Sequence, residues 1–341
     1  MLSAALHDLL WRKKRFVIAL TATSLVFSMT LVMSGLSAAF PNEINRLLDR
    51  LGGELYYAKA GANGPFSAGG VVTAAAAPSG SAAVLYSVAT VTLDGDLKQV
   101  SLFGVDPDGT ANPDVSSGRP LARSGELVVA STMGKRPGDT VVLGAITLQV
   151  VGVIDDLTLF GGQGTLFLPL ADAQALIVDG QDVASFFVGP ATDARPSSLA
   201  VFDRTTARDD LLRPLEGATG SITFIGILLW IVAACIIGSV VFLSALERTR
   251  DFAVFKATGA STISIGVGLI AQAVVIAVFA SVVAVVLAMV LAPVFPMPVE
   301  IPTSAMALLP VLAVLAGVLS SLIGLRRAVS VPPALAFGAA A

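Results

Sequence analysis

The chain has 341 residues, of which 55% are hydrophobic and only 13% charged, with 24 acidic against 21 basic side chains and a formal charge of −3. A composition this apolar excludes an ordinary soluble domain, and the single cysteine, Cys235, excludes an intrachain disulfide and a cysteine-based metal site. Four apolar runs, residues 16–40, 222–246, 263–291 and 305–325, reach the roughly 20 residues that a spanning helix needs. The expected fold is an α-helical membrane protein with four transmembrane helices and one α+β extracytoplasmic domain inserted between helices 1 and 2.

Residues 1–15 read as a cytoplasmic amphipathic helix. Leu2, Leu6, Leu9 and Leu10 recur at helical spacing ahead of Trp11 and the basic cluster Arg12, Lys13, Lys14 and Arg15, a pattern that lies along a membrane surface. His7, the only histidine, has no partner on this face for general-base work and reads as a surface residue. The first span, 16–40, is longer than the apolar core of a secretory signal, about 7–15 residues, and is expected to stay uncleaved. Ser24, Ser28, Ser34 and Ala38 give it small residues for close helix contact. Ile44, Leu47, Leu48 and Leu51 carry the helical period outward as a stalk to about residue 51, where Gly52-Gly53 should stop it.

Residues 52–215 form the expected extracytoplasmic α+β domain. Strand-like pieces fall at 54–58, 83–93, 99–105, 126–130, 140–143, 146–153, 164–168 and 199–202, and helical ones at 171–178 and 206–215. Asp94-Gly95 suits a type I′ hairpin turn and Gly144-Ala145 a type II′ turn. The stretch 61–80, rich in Gly, Ala, Ser and Pro, reads as a mobile loop, and 183–198 as irregular.

Beyond the domain come the second span (222–246), a charged segment (247–262), the third span (263–291), a short extracytoplasmic loop (292–304), the fourth span (305–325) and a cytoplasmic tail (326–341). Residues 41–221 hold 20 acidic and 12 basic side chains. The other basic residues are Arg12, Lys13, Lys14, Arg15, Arg248, Arg250, Lys256, Arg326 and Arg327, all close to span ends. The positive-inside rule then places both termini and the charged segment in the cytoplasm and the inserted domain outside.

Little in the chain suggests catalysis. A nucleotide-driven machine needs G-x-x-x-x-G-K-[ST], and Gly134-Lys135, followed by Arg136-Pro137, fails that pattern. The acidic pairs Asp94/Asp96, Asp106/Asp108 and Asp155/Asp156 lie in turn sequences, and Asp106-Pro107-Asp108-Gly109 lacks the remaining ligands of a calcium loop. The spans contain no Asp, Glu, Lys, Arg or His, which disfavours an ion-coupled transporter. Gln272 is expected to hydrogen-bond between helices. The chain itself should therefore be no enzyme and bind no metal or cofactor.

The charged segment offers a docking element instead. A helix from about Glu247 to Thr258 presents Phe252 and Phe255 three residues apart, with Arg248, Arg250, Asp251 and Lys256 free to pair with a soluble partner and Gly259 suited to its C-terminal cap. Glu247-Arg248-Thr249-Arg250-Asp251-Phe252-Ala253-Val254-Phe255-Lys256-Ala257-Thr258-Gly259-Ala260-Ser261 resembles the E-R-T-R-E-I-G-x-x-R-A-L-G-A-S segment of the MacB/FtsX-type ABC transporter permeases, the type VII or mechanotransmission class, which includes lipoprotein-release permeases. The resemblance extends to Leu10-Trp11-Arg12-Lys13-Lys14-Arg15, to Gly125-Glu126-Leu127-Val128-Val129-Ala130, Gly138-Asp139-Thr140-Val141-Val142-Leu143 and Val150-Val151-Gly152-Val153, to Phe167-Leu168-Pro169-Leu170-Ala171-Asp172-Ala173-Gln174, and to the tail from Arg326-Arg327 to Ala334-Leu335. Ala253 stands where the family has glycine, Phe252 where it has a smaller aliphatic and Lys256 where it has arginine, whose bidentate fork lysine lacks.

That resemblance implies a permease subunit in the bacterial inner (cytoplasmic) membrane, paired with a second permease chain as a homodimer or heterodimer. It also implies a separate cytoplasmic ABC ATPase, holding ATP and Mg²⁺, docked on the segment after the second span. Glu247, Arg248, Arg250, Asp251, Phe252, Phe255, Lys256 and Gly259 are the expected ATPase-coupling residues, and Arg12, Lys13, Lys14, Arg15, Arg326 and Arg327 the membrane-anchoring ones. Export or extraction of a hydrophobic or peptide-like molecule is the leading expectation. Activation of an extracytoplasmic cell-wall hydrolase without transport is a second, and a receptor-like anchor without an ATPase a third. Partners are then the ATPase, a second permease, an extracytoplasmic protein and the lipid bilayer, with no nucleic acid.

Overall fold

The structure is a computed structural model that describes residues 13–67, 70–93, 96–190, 198–247, 254, 261–295 and 299–329. The chain divides into two compact units, one made of residues up to Ala38 and from Thr219 onward, the other of Ala39–Ala218. Helix α1 (Lys13–Leu51) is continuous through Pro41 and contributes to both.

In the first unit, α1 is joined by α4 (Glu216–Glu247), α5 (Thr262–Leu291) and α6 (Thr303–Val329). By length and composition α1, α4 and α5 can cross a membrane; the apolar part of α6 with described side chains, Thr303–Leu319, is shorter. Among the described residues three helices are thus long and apolar enough to cross a membrane, and the expected fourth span is helical. Small residues set how closely the helices approach. Ala273, Ala277, Ala280, Ala284 and Ala288 of α5 are fully buried in one cluster with Phe27 of α1, Ile237 of α4 and Ala313 of α6. Gly317 of α6 sits against Ala273, whose carbonyl would lie 3.3 Å from an added methyl. Ser24 and Ser28 are buried as the small-residue pattern requires. Gly35 makes the tightest approach on that helix, since a methyl there would meet Val299 at 2.7 Å. Gln272 is buried on α5.

The second unit is a mixed sheet between helices. Its strands are β1 (Leu55–Lys59), β2 (Val72–Thr73), β3 (Ala82–Leu93), β4 (Asp96–Val105), β5 (Ser117–Gly118), β6 (Glu126–Ala130), β7 (Thr140–Leu143), β8 (Ile146–Ile154), β9 (Thr158–Leu159), β10 (Gln163–Pro169), β11 (Val183–Ala184), β12 (Phe186–Gly189) and β13 (Leu199–Asp203). The main sheet runs β13-β1-β12-β3-β4-β10-β6-β8-β5, with β7 on β8 and β9 on β10, while β11 pairs β2 separately. β10 lies parallel to β4, and β6 parallel to β8. One face of the sheet packs on the end of α1 and on α3 (Arg204–Leu212), burying Leu48, Phe103, Phe167 and Leu211 together. The other face packs on α2 (Leu170–Ile177), where Ala173 meets Leu85, Leu102 and Leu168. The stalk residues Ile44, Leu47, Leu48 and Leu51 are fully buried, each stabilising the unit by about 1.5–3 kcal/mol.

Both hairpins close with two-residue links: Leu93 pairs Asp96 and Leu143 pairs Ile146. Gly144 has φ 59; residues 94–95 lie outside the described set. Asp106 makes its turn, accepting the amides of Asp108 and Gly109. The stretch read as irregular, 183–198, instead holds β11 and β12. Phe186, Phe187 and Val188 are buried without alternation because β12 is covered on both faces. The stretch 61–80, read as a mobile loop, carries β2 and a 3-10 turn, Ala74–Ala76, and packs Phe66 against the core.

Gly52 and Gly53, with φ of 68 and 78, end α1 as their sequence indicates, and Gly53 also packs tightly. A methyl on Gly53 would lie 2.6 Å from Val188 and 2.9 Å from the amide nitrogen of Gly189, whereas one on Gly61, at φ 85, meets nothing. Gly61→Ala should therefore cost only the left-handed backbone penalty, about 1–2 kcal/mol, and Gly53→Ala roughly 1–3 kcal/mol more for overpacking. Calorimetric unfolding of the two variants in detergent measures the difference.

Candidate functional site

Glu247 closes α4 and Thr262 opens α5. Val254 between them is helical and exposed. Arg248, Arg250, Asp251, Phe252, Phe255, Lys256 and Gly259 lie outside the described residues, as does Arg12. Lys13, Lys14 and Arg15 form the first turn of α1, and Arg326 and Arg327 fall in the last turn of α6. The described part of the chain places its polar chemistry in the unit Ala39–Ala218.

The first feature there is the end of α1. Glu43 is buried, and its carboxylate accepts hydrogen bonds from the hydroxyl of Thr158 and from the amides of Gly161 (3.1 Å) and Gly162 (3.2 Å). Phe160, which begins the link between β9 and β10, has φ of 50, and Asp156, in the link just before β9, has φ of 54, so the carboxylate holds a strained connection between β9 and β10. One or two turns further along α1, Arg46 donates to the carbonyl of Asp156 at 3.4 Å and Arg50 to that of Asp114 at 2.9 Å. Arg204 of α3 bridges back to Asp49 at 2.6 Å and to the carbonyl of Asn45 at 3.2 Å. The exposed pairs each contribute little; with the buried apolar stripe they tie α1 to four separate segments.

The second feature explains a motif. Glu126, in Gly125-Glu126-Leu127, is buried and accepts both guanidinium nitrogens of Arg119, the Nε of Arg123 at 3.1 Å and the amides of Ala122 (2.8 Å) and Arg123 (3.3 Å). The Arg119 hydrogen bond, helped by these amides, holds its carboxyl well below its ordinary value of 4.5, at about 2. Asp172, in the first turn of α2, accepts from the amide of Gly125 (2.7 Å) and the hydroxyl of Ser124. Both motif carboxylates are thus consumed in holding the loop before β6. Asp203 likewise caps α3 through Thr206, which keeps its carboxyl below the usual range.

The third feature, not legible from spacing, is a cavity of about 810 Å³ on the stalk-side face of the sheet. Tyr86, Val88, Gln99 and Gln163 form its floor on three adjacent strands; Phe66, Phe160, Leu211, Pro214 and Leu215 wall it. Phe66 meets Tyr86 edge to face at 5.6 Å between centroids. Burial pushes the Tyr86 phenol up to about 12, so it stays a neutral hydroxyl. Asp210 is buried in the wall, where it accepts the amide of Phe66 (2.8 Å) and the hydroxyl of Ser67 and pairs with Arg213 at 3.2 Å. The buried amide nitrogen of Gln163 has no acceptor among the described residues. Volume and mostly apolar lining fall in the range of ligand sites. In the sequence its local signal is Asp210 three residues before Arg213.

Residues 19–201 match the family model described as a MacB-like periplasmic core domain, and residues 223–333 the one described as an FtsX-like permease C-terminal region. The chain is 44% identical over 347 residues to proteins named as uncharacterized ABC transporter permeases in Mycobacterium tuberculosis and Mycobacterium bovis, covering 99% of each chain. A solved extracellular domain of the noncanonic ABC-type transporter YknZ from Gram-positive bacteria is similar at 15% identity and a TM-score of 0.31, covering 49% of this chain and 94% of that one.

The lowered Glu126 carboxyl sets a pH dependence. Its contribution to stability is fully present above about pH 4.5 and is lost as the pH falls toward about 2, because the unfolded chain then binds the proton that the folded one refuses. Glu126→Gln should lower the unfolding free energy by roughly 1–3 kcal/mol near neutral pH, and the gap to the parent chain should shrink at about pH 3. Thermal unfolding at the two pH values tests both.

Proposed function

Because this chain belongs to the ABC transporter permeases with FtsX-like and MacB-like domains, we propose that it is the non-catalytic membrane subunit through which a separate ATPase drives the unit Ala39–Ala218. Membership in that family implies an ATPase partner and a paired permease chain. ATP and Mg²⁺ reside in that ATPase, which docks on residues 247–262 in the cytoplasm. The work done at the outer unit exports or extracts a hydrophobic or peptide-like molecule.

One observation carries this reading: the charged segment joins two membrane-length helices inside the region matched by the permease model, 223–333. A second supports it. α1 is a single helix whose first part belongs to the apolar unit and whose last turns are buried in the other. A displacement of that helix along or about its axis therefore acts on the β9–β10 turn through Glu43 and on α3 through Asp49. Neither contact needs the chain to bind nucleotide.

Reversal of Arg250 or Lys256 to glutamate should abolish co-purification with the ATPase or lower stimulated ATP turnover at least several-fold, since each replaces an attraction across the interface by repulsion. Retention of both properties by both variants overturns the docking assignment.

A further inference from the structure

Strand β3 is paired on only part of its outer edge. Strand β12 covers it at Ala82, Ala83 and Val84, opposite Val188, Phe187 and Phe186. Ser185 then finishes the pairing with a side chain. Its amide donates to the carbonyl of Val84 (2.8 Å), its hydroxyl accepts the amide of Tyr86 (3.0 Å), and that hydroxyl donates to the carbonyl of Tyr86 (3.3 Å). There the neighbouring chain leaves, because Val183 and Ala184 pair instead with Thr73 and Val72 of β2.

β3 itself continues, laddered on its other side to β4 as far as Leu93. Backbone groups of an antiparallel strand alternate between its two edges. Val84 and Tyr86 turn theirs toward Ser185, so Val88 and Thr90 turn theirs the same way. Among the described residues no strand pairs with them there. Val88 is 43% exposed and Thr90 is exposed. The side chains of Tyr86 and Val88 face the cavity described above, whose lining also includes Ser87 and Ser185. The vacant edge and the cavity are therefore contiguous.

We propose that this edge and cavity are one docking site for an extended peptide segment, which adds to β3 beyond Ser185 and inserts an apolar side chain between Phe66, Tyr86, Phe160 and Leu215. An apolar cavity alone would admit any greasy group. A row of backbone donors and acceptors repeating every two residues, about 6.8 Å, is matched by another extended backbone. β12 already supplies that complement at the preceding positions of the same edge. The main-chain bonds give attachment, and the cavity, walled by three aromatic rings, selects the side chain. The inference names the class of partner for the outer unit and rests on the reading of that unit as the working end of the permease.

The test uses the full chain in lipid nanodiscs without ATP or an ATPase, so its failure leaves the coupling assignment standing. Three fluorescein-labelled heptapeptide amides, Lys-Thr-X-Thr-Val-Thr-Lys with Phe, Leu or Val at X, are titrated by fluorescence anisotropy. Saturable binding is expected for at least one. Thr90→Pro should weaken it about tenfold through the lost hydrogen bond and ring obstruction. That amide points away from β4, so proline there spares the ladder. Val71→Trp, an exposed position at the cavity mouth, should weaken it to a similar extent. It carries the test if Thr90→Pro lowers the unfolding temperature. N-methylation of one alternate set of peptide amides should abolish binding and that of the other set should not. Absence of saturable binding, or equal binding by both N-methylated sets, overturns the proposal; in the second case competition by dodecylphosphocholine identifies a lipid-type cavity.

Discussion

A carboxylate with no water around it must be met by donors, and Glu43 is met by a hydroxyl and two glycine amides from one turn. Leaving such a charge unpaired costs several kcal/mol, so the turn between β9 and β10 and the end of α1 keep their register together or lose it together. The same turn supplies Phe160 to the cavity wall and Thr158 to the core. The apolar stripe from Ile44 to Leu51, fully buried on one face, resists both withdrawal and rotation of α1. Directional hydrogen bonds at Glu43, Arg50 and Asp49 oppose rotation. Together they make the helix end a joint with one defined setting.

Much of this architecture is legible in the sequence. Hydropathy located the apolar helices, Gly52-Gly53 located the end of α1, and two-residue links at 94–95 and 144–145 located both hairpins. These signals are local: a helix period, a positive φ, an alternation. β12 escaped because Phe186, Phe187 and Val188 are buried on both faces, and a four-residue apolar run carries no period. The cavity escaped for a stronger reason. Phe66, Tyr86, Phe160 and Leu211 come from four separate segments, and only the strand order of the mixed sheet brings them together. The coupling residues proposed from Arg248 to Gly259 stand on their charge pattern and family phrase alone.

Family phrases and open surface are separate in this chain. Gly125-Glu126-Leu127 and Leu170-Ala171-Asp172 both carry acidic residues of the kind often read as chemistry, yet both carboxylates are spent on the loop before β6. Their spacing is that of a scaffold. Residues that face unfilled space, such as Val88, Gln99 and Gln163, belong to no phrase. What holds the unit Ala39–Ala218 in shape and what it presents are written in different parts of the chain.

The alanine row on α5 has a mechanical corollary. A contact built from interlocked leucines is a ratchet: sliding one helix past another forces side chains through eclipsed rotamers. Ala273, Ala277, Ala280, Ala284 and Ala288 have no side-chain torsion to drive, and Gly317 opposite has no side chain at all. Where Gly317 meets Ala273, a small axial shift of one helix past the other turns no side-chain torsion on either. The hydrogen-bonded joint at Glu43 is directional, and the alanine row inside the apolar unit is not.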